Sequence, residues 1–188
     1  MKTILYPMKA RFPRVLATVL VAGAIAAGAA HAAPKKAVAT PDSRINVQFV
    51  EPENFTDIRD SQTSATDSHR DWVLAEVRKY LQQRGELTLR DDLHLLVRIT
   101  DIDLAGDFEP WRFRFHDDIR VVKEIYPVRI KLEFQLMDSA GNVVAEGERK
   151  LTDFGRLATF TPSSDSLRFE KEVLRDWIAR EFREYRRA

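Results

Sequence analysis

The sequence predicts an α+β fold, in which one mixed or antiparallel sheet of about four strands is covered by two amphipathic helices. Three segments alternate apolar and polar residues, a fourth follows a hairpin turn, and two segments repeat apolar residues at helical spacing. Their order along the chain is β-α-β-(insert)-β-β-α. The chain has 188 residues, 44% hydrophobic and 31% charged, which is typical of a globular protein. That length fits one domain better than two.

Three strands are predicted from alternation with a period of two, and the fourth from the hairpin turn before it. Residues 44–50 form the first strand and residues 93–100 the second, each with most of its aliphatic side chains on one face. Residues 126–137 and 143–152 form the other pair. The Asp-Ser-Ala-Gly-Asn sequence between them is typical of a hairpin turn, so this pair is expected to be antiparallel.

The two helices are predicted from apolar residues at i, i+3, i+4 and i+7. Residues 69–84 show this pattern, and Gly85 is expected to cap the C-terminus of the helix. Residues 164–187 form the longer final helix, whose apolar stripe includes Trp177. Each helix therefore has one face suited to packing on the sheet.

The N-terminus has the pattern of a secretory signal peptide over residues 1–32. A basic segment without acidic residues contains Lys2, Lys9, Arg11 and Arg14. The uncharged segment 15–30 follows, and Ala30 and Ala32 supply the small residues that signal peptidase requires. Its 16 residues are fewer than the roughly 20 that span a bilayer. We expect cleavage after Ala32 and a periplasmic or secreted product.

Cleavage would leave a flexible leader at 33–43 and a single α+β domain at 44–188 with an insert at 104–125. The segment removed holds four of the 30 basic residues and none of the 29 acidic ones. The mature chain therefore has 26 basic and 29 acidic residues, a net charge of −3. A mildly acidic protein is unsuited to general nucleic-acid binding, and no membrane span is expected after cleavage. The absence of Cys excludes disulfides, thiolate nucleophiles and Cys-bound metals.

Several stretches of the chain resemble one known family. They are Val47-Gln48-Phe49-Val50-Glu51-Pro52-Glu53 with Phe55-Thr56-Asp57, Asp103-Leu104-Ala105-Gly106, Phe108-Glu109-Pro110-Trp111, Arg129-Ile130-Lys131-Leu132, and Leu167-Arg168-Phe169-Glu170-Lys171 with Trp177. Together they resemble the Gram-negative envelope family catalogued as domain of unknown function 3016. The resemblance covers nearly all of the mature chain and implies export. It supplies no activity, cofactor or catalytic residue.

Carboxylates at the start of the insert are the first candidate site: Asp101, Asp103, Asp107 and Glu109. Two of them match the first ligands of an EF-hand loop, but Ala105 and Arg112 stand where that loop needs oxygen ligands. An irregular divalent-cation site or general acid–base chemistry stays open. The alternative is that Asp101 and Asp103 accept backbone N–H groups at the end of a strand.

Alternating aromatic and basic residues are the second candidate site. The rings are Trp111, Phe113 and Phe115, and the basic groups are Arg112, Arg114 and His116. In a strand the rings would share one face. Large rings are usually buried, so we expect them in the core, with an exposed binding stripe as the alternative.

The sequence therefore predicts an exported, non-catalytic interaction module of the bacterial envelope, with no cofactor, no metal and no catalytic residue assigned. Its partner would be an unknown envelope protein, peptide or glycan. The candidate binding residues are Asp101, Asp103, Asp107, Glu109, Trp111 and Arg112. One alternative is an enzyme that uses the four carboxylates, with or without a divalent ion. Another is a carrier of a small ligand or lipid, which would need an apolar cavity between sheet and helices.

Overall fold

A computed structural model of the chain describes residues 43–61, 66–109, 111, 119–152 and 165–187. The elements, in chain order, are β1 (Ile45–Phe49), α1 (Asp67–Thr88), β2 (His94–Asp103), β3 (Asp107–Phe108), β4 (Arg120–Val121), β5 (Arg129–Met137), β6 (Val143–Thr152) and α2 (Arg168–Glu181). Short 3-10 helices follow β1 at Pro52–Asn54 and α2 at Arg183–Tyr185.

The main sheet has the strand order β1-β2-β5-β6. β1 and β2 are parallel and are joined through α1, whereas β2, β5 and β6 are successively antiparallel. β3 and β4 pair separately as a small antiparallel ribbon within the insert. The predicted α+β class, with a mixed sheet of four strands and two helices, is confirmed.

One face of the main sheet is apolar and covered by the helices. Side chains from β1, β2 and β5 form a single buried cluster with those on the inner faces of α1 and α2. At the α2 end of this core, the rings of Phe134, Trp177 and Phe182 pack edge to face with centroids 5.4–5.8 Å apart. This packing explains the apolar alternation of the strands, because only one of their faces is removed from water.

β2 runs three residues further than the sequence predicts, because a bulge changes its register. The pairing with β5 shifts between Ile99 and Asp101. Ile99 and Ile102 are therefore both fully buried although they are three residues apart. Simple alternation ends at the bulge, and beyond it Asp101 and Asp103 face the opposite, open side of the sheet, where they meet basic residues of β5.

Gly85 does not cap α1, as the sequence predicts, but lies inside it. The helix continues to Thr88, and a Cβ at Gly85 would lie 2.8 Å from the Cδ1 atom of Ile45 on β1. The glycine is therefore needed for close approach of helix and strand. The other end of α1 is capped by Thr66, whose hydroxyl accepts the His69 N–H at 3.2 Å.

α2 is shorter than the predicted helix over residues 164–187. It ends at Glu181, and the chain leaves the helix to pair with the segment that follows α1. The Arg90 N–H donates to the Tyr185 carbonyl at 3.1 Å, and the Arg187 N–H donates to the Thr88 carbonyl at 2.9 Å. These bonds replace the helical bonds that periodicity alone predicts.

Candidate functional site

The predicted carboxylates lie where β2 leaves the main sheet and the insert begins. Asp101 accepts the backbone N–H and the hydroxyl of Thr56 at 2.8 and 2.9 Å, and the ammonium of Lys131 at 2.7 Å. Burial alone would raise the pKa of Asp101, but these bonds, led by that from Lys131, outweigh it and lower the pKa. Asp103 forms an ion pair with Arg129 at 2.8 Å. Both carboxylates therefore join β2 to its neighbours.

Asp57 is the centre of this region, and the sequence analysis did not single it out as a site residue. It is 6% exposed, and its backbone forms an isolated parallel bridge to Asp103. Its carboxylate binds the guanidinium of Arg120 through both oxygens, at 3.0 and 3.1 Å, and that of Arg59 at 3.0 and 3.3 Å. Burial alone would raise the pKa of Asp57, but the hydrogen bonds from Arg120 and Arg59 lower it to about 2.

Arg120 connects the insert to the rest of the domain. Besides Asp57, its guanidinium donates to the carbonyl of Gly106 at 2.9 Å and to that of Arg59 at 3.0 Å. Both guanidinium groups lie over the ring of Phe108, with Arg120 4.6 Å and Arg59 5.7 Å from its centroid. The ribbon of β3 and β4 is thus held by charge-assisted bonds and a shared aromatic surface.

The turn at Gly106 brings this network together. Gly106 has φ +86°, a conformation that other residues rarely adopt, and a Cβ there would lie 2.9 Å from the Val121 carbonyl oxygen. Its N–H donates to the Tyr126 carbonyl at 2.9 Å. This turn therefore depends on glycine for both its backbone conformation and its close packing.

Asp107 and Glu109, the other two predicted carboxylates, also have basic partners. Asp107 lies 3.2 Å from the Arg59 guanidinium. Glu109 is 3% exposed; it forms an ion pair with Lys123 and accepts the Tyr126 hydroxyl at 3.2 Å. Each of the four predicted carboxylates therefore has its own cation, which is a different arrangement from several carboxylates converging on one metal ion.

Glu170, in the first turn of α2, is a second buried carboxyl that sequence reasoning missed. It is 1% exposed, and its Oε1 atom accepts the Ala105 N–H at 2.8 Å. Its Oε2 atom is buried without a hydrogen-bond partner in the described part of the chain. Burial raises the pKa of Glu170, an effect that the bond from Ala105 only partly offsets.

Trp111 is not in the core, and the prediction that it is buried is wrong. It is 72% exposed. Three other apolar residues of the insert, Ile119, Val122 and Ile125, are 39%, 36% and 69% exposed. Arg112 and the rings of Phe113 and Phe115 lie outside the described residues. The described part of the insert thus carries much of the exposed apolar surface of the domain.

The open face of the main sheet is a separate polar surface. Charged residues face each other across its strands, and Arg98 binds Glu133 at 2.8 Å. A depression of about 520 Å³ on this face is lined by residues that include Leu96, Arg98, Glu133, Gln135, Glu146 and Glu148. Among the residues described, no three acidic or histidine side chains are placed to hold a metal ion. Nor does any helix in those ranges have the length and apolarity to cross a membrane.

The comparisons with known proteins give one family match. The model of the family described as "Protein of unknown function (DUF3016)" matches residues 43–180. No curated protein matches the chain. Among solved structures, a minor lipoprotein from Acinetobacter baumannii is 14% identical and covers 75% of this chain and 88% of its own, with a TM-score of 0.23. That TM-score is too low to establish a shared fold.

Proposed function

The chain belongs to the DUF3016 family of proteins of unknown function, and on that premise we propose that it is an exported, non-catalytic interaction module of the bacterial envelope. Its contact surface is the insert, and Trp111 is the principal contact residue. The partner is an envelope protein, peptide or glycan. The observation that carries this proposal is the 72% exposure of Trp111, because Trp is highly buried on average and is enriched at binding interfaces.

Export is supported by the pattern of residues 1–32, with its basic segment, apolar segment and Ala-x-Ala end. The family match covers residues 43–180 and so begins after the predicted signal peptide. Cell fractionation followed by N-terminal sequencing tests this part. We expect an envelope protein whose first residue is Ala33. A cytosolic protein that begins at Met1 would contradict it.

The insert is suited to binding because its base is held by ion pairs while its apolar residues are exposed. Asp57, Arg59 and Arg120 fix the ribbon to the domain through charge-assisted hydrogen bonds. Trp111 and Ile125, at 72% and 69% exposure, lie on the same insert. A base held in this way lowers the entropic cost of binding, because less of the insert has to be ordered when the partner arrives.

The enzyme alternative has less support, because all four of its carboxylates are ion-paired. A divalent-cation site needs several of these carboxylates to converge on one ion instead. Equilibrium dialysis followed by metal analysis separates the two hypotheses. A stoichiometric ion that is lost when Asp101→Asn and Asp103→Asn are combined would favour the enzyme.

The carrier alternative needs an apolar cavity between the sheet and the helices. At the α2 end of the core, Phe134, Trp177 and Phe182 are in edge contact with one another. These rings fill the space that a ligand would occupy there. Native mass spectrometry checks this alternative, since a carried lipid would add its mass to that of the polypeptide.

Site-specific photocrosslinking in intact cells tests the binding surface. A photoreactive amino acid is placed at position 111, at position 125, or at the control position 87. Leu87 is a matched control because it is 69% exposed and apolar but lies on α1. We expect adducts at 111 and 125 and none at 87. Digestion by protease or by lysozyme then distinguishes a polypeptide partner from a glycan. Equal adducts at all three positions, or none at 111, would overturn the proposal.

A further inference from the structure

β6 forms an edge of the main sheet, and within the described ranges no strand pairs with its outer side. The start of the strand is blocked. Val144 lies at a register shift in the pairing with β5, and its carbonyl accepts the Tyr185 hydroxyl at 3.0 Å. Residues 146–152 continue in regular register with β5. This regular stretch offers its outer backbone groups for pairing with another strand.

Two charges on this stretch are poorly placed within a single chain. Glu148 lies directly opposite Glu133 on β5, and Lys150 lies directly opposite Lys131. The β5 residue of each pair has an oppositely charged partner on β2, because Glu133 binds Arg98 and Lys131 binds Asp101. Like charges directly opposite each other destabilise a sheet.

Glu148 and Lys150 themselves form no ion pair with another described residue. Both are exposed on the open face of the sheet. They are two residues apart on the edge strand, with opposite charges on the same side. A strand added at this edge would remove the mismatch if it placed a cation beside Glu148 and an anion beside Lys150.

We propose that the occupant of this edge is the β6 strand of a second copy, paired antiparallel about a two-fold axis at Arg149. In antiparallel pairing about that centre, a residue one position before Arg149 faces the residue one position after it in the partner. Glu148 of each chain then faces Lys150 of the other, so the interface contains the same attractive pair twice. The two-fold symmetry follows from the self-complementary charge order of the strand.

The rest of the strand is compatible with this register. Glu146 faces Thr152 of the second copy, which introduces no like-charge pair. Each Arg149 is already neutralised by Glu181 of α2, with both contacts at 2.7 Å. The Glu148 carbonyl accepts the guanidinium of its own Arg149 at 2.8 Å, and its second lone pair remains for a cross-strand N–H. The two sheets would thus join into one continuous sheet.

A charge-swap experiment tests both the partner and the register. Sedimentation velocity over a wide concentration range measures dimer dissociation for the purified protein, for Glu148→Lys, for Lys150→Glu and for the double variant. Each single change makes both symmetric contacts repulsive, and we expect it to weaken the dimer by at least about tenfold. The double variant restores the attractive pairs and is expected to dimerise like the parent protein.

Folding is controlled for in the same design. Within one chain, Glu148→Lys and Lys150→Glu each replace a like-charge pair by an opposite-charge pair, so neither variant is expected to unfold more easily. Glu146→Lys is the matched control: it makes the same charge change on the same strand, but position 146 faces Thr152 of the second copy, so the dimer should weaken much less than with Glu148→Lys. Three results would overturn the proposal. The parent protein could be monomeric at every concentration, the double variant could dimerise no more tightly than the single variants, or Glu146→Lys could weaken the dimer as much as Glu148→Lys.

Discussion

Trp177 and Asp57 are buried to a similar extent, at 3% and 6% exposure, but in opposite surroundings. The Trp177 ring lies between Phe134 and Phe182 in the core beneath α2. The Asp57 carboxylate lies between the guanidinium groups of Arg59 and Arg120 at the base of the insert. One region is held by apolar burial and the other by ion pairs around a buried carboxylate.

The two kinds of contact predict different responses to amino-acid substitution. Apolar packing is spread over many weak contacts, so its loss scales with the atoms removed. A buried ion pair depends on both partners, because removal of one leaves the other charged and desolvated. The core beneath α2 should therefore weaken in proportion to lost volume, whereas the base of the insert should respond to charge at almost constant volume.

The core should show the largest effect. Trp177→Ala removes a buried indole and is expected to lower the free energy of unfolding by about 3–5 kcal/mol. Urea denaturation measures this value. Trp72→Ala is the control, because Trp72 is 43% exposed and its loss should cost about 1 kcal/mol or less. Equal costs at the two positions would show that α2 does not cover the core with this face.

The base of the insert should show a comparable effect without any loss of volume. Asp57→Asn removes the carboxylate that Arg59 and Arg120 share, although Arg59 keeps its contact with Asp107, and is expected to cost about 3 kcal/mol at neutral pH. Asp103→Asn is the matched control, since its partner Arg129 is 54% exposed, and solvent-exposed pairs contribute about 1 kcal/mol or less. If both substitutions cost the same, the two regions would not differ as we describe.

The destabilisation caused by Asp57→Asn should depend on pH. The pKa of Asp57 is lowered to about 2 from an ordinary 3.8, so its contribution is present above pH 4 and is lost as the pH falls toward 2. That shift corresponds to about 2 kcal/mol. Urea denaturation at several pH values should therefore show the parent protein approaching Asp57→Asn in acid. A difference that stays constant down to pH 2 would rule out the carboxylate charge as its cause.

Glu170 should show the opposite dependence on pH. Its pKa is raised by burial, so the folded state is favoured at low pH, and this contribution is lost as the pH rises above 4.5 through the raised pKa. Glu170→Gln removes the ionisation but keeps an oxygen for the Ala105 N–H. We expect the variant to lose less stability than the parent protein as the pH rises from 5 to 8. Parallel stability profiles over that range would contradict a buried, ionisable Glu170.

The sequence predicts the core region better than the base of the insert. The bounds of β6 match the strand predicted at residues 143–152, because the hairpin turn that precedes it is a local signal in the sequence. Alternation predicts β2 only as far as the bulge after Ile99, since a bulge reverses the side on which later residues lie. Gly85 looks like a helix cap because nothing local indicates that Ile45 packs against it.

The site was predicted only in part, because its ion pairs join distant segments. Asp57 and Arg120 are 63 residues apart, and their contact depends on how the chain after β1 returns to the end of β2. Alternation is also weak support for burying Trp111, since it says only that the rings would share one face and not which face is turned to the core. The resemblance did include Asp57 and Glu170 among its residues, but it assigned no role to either of them.

The smallest effect on stability is expected at the surface of the insert. Trp111→Ala removes a ring that is 72% exposed, so the free energy of unfolding should change by about 0.5 kcal/mol or less. If Trp111 is a contact residue, the same variant abolishes crosslinking through position 125 without altering the urea midpoint. This separates binding from folding, because Trp177→Ala would reduce both. If Trp111→Ala were as unstable as Trp177→Ala, the Trp111 indole would have to be buried in the core. The main support for the insert as the binding surface would then be lost.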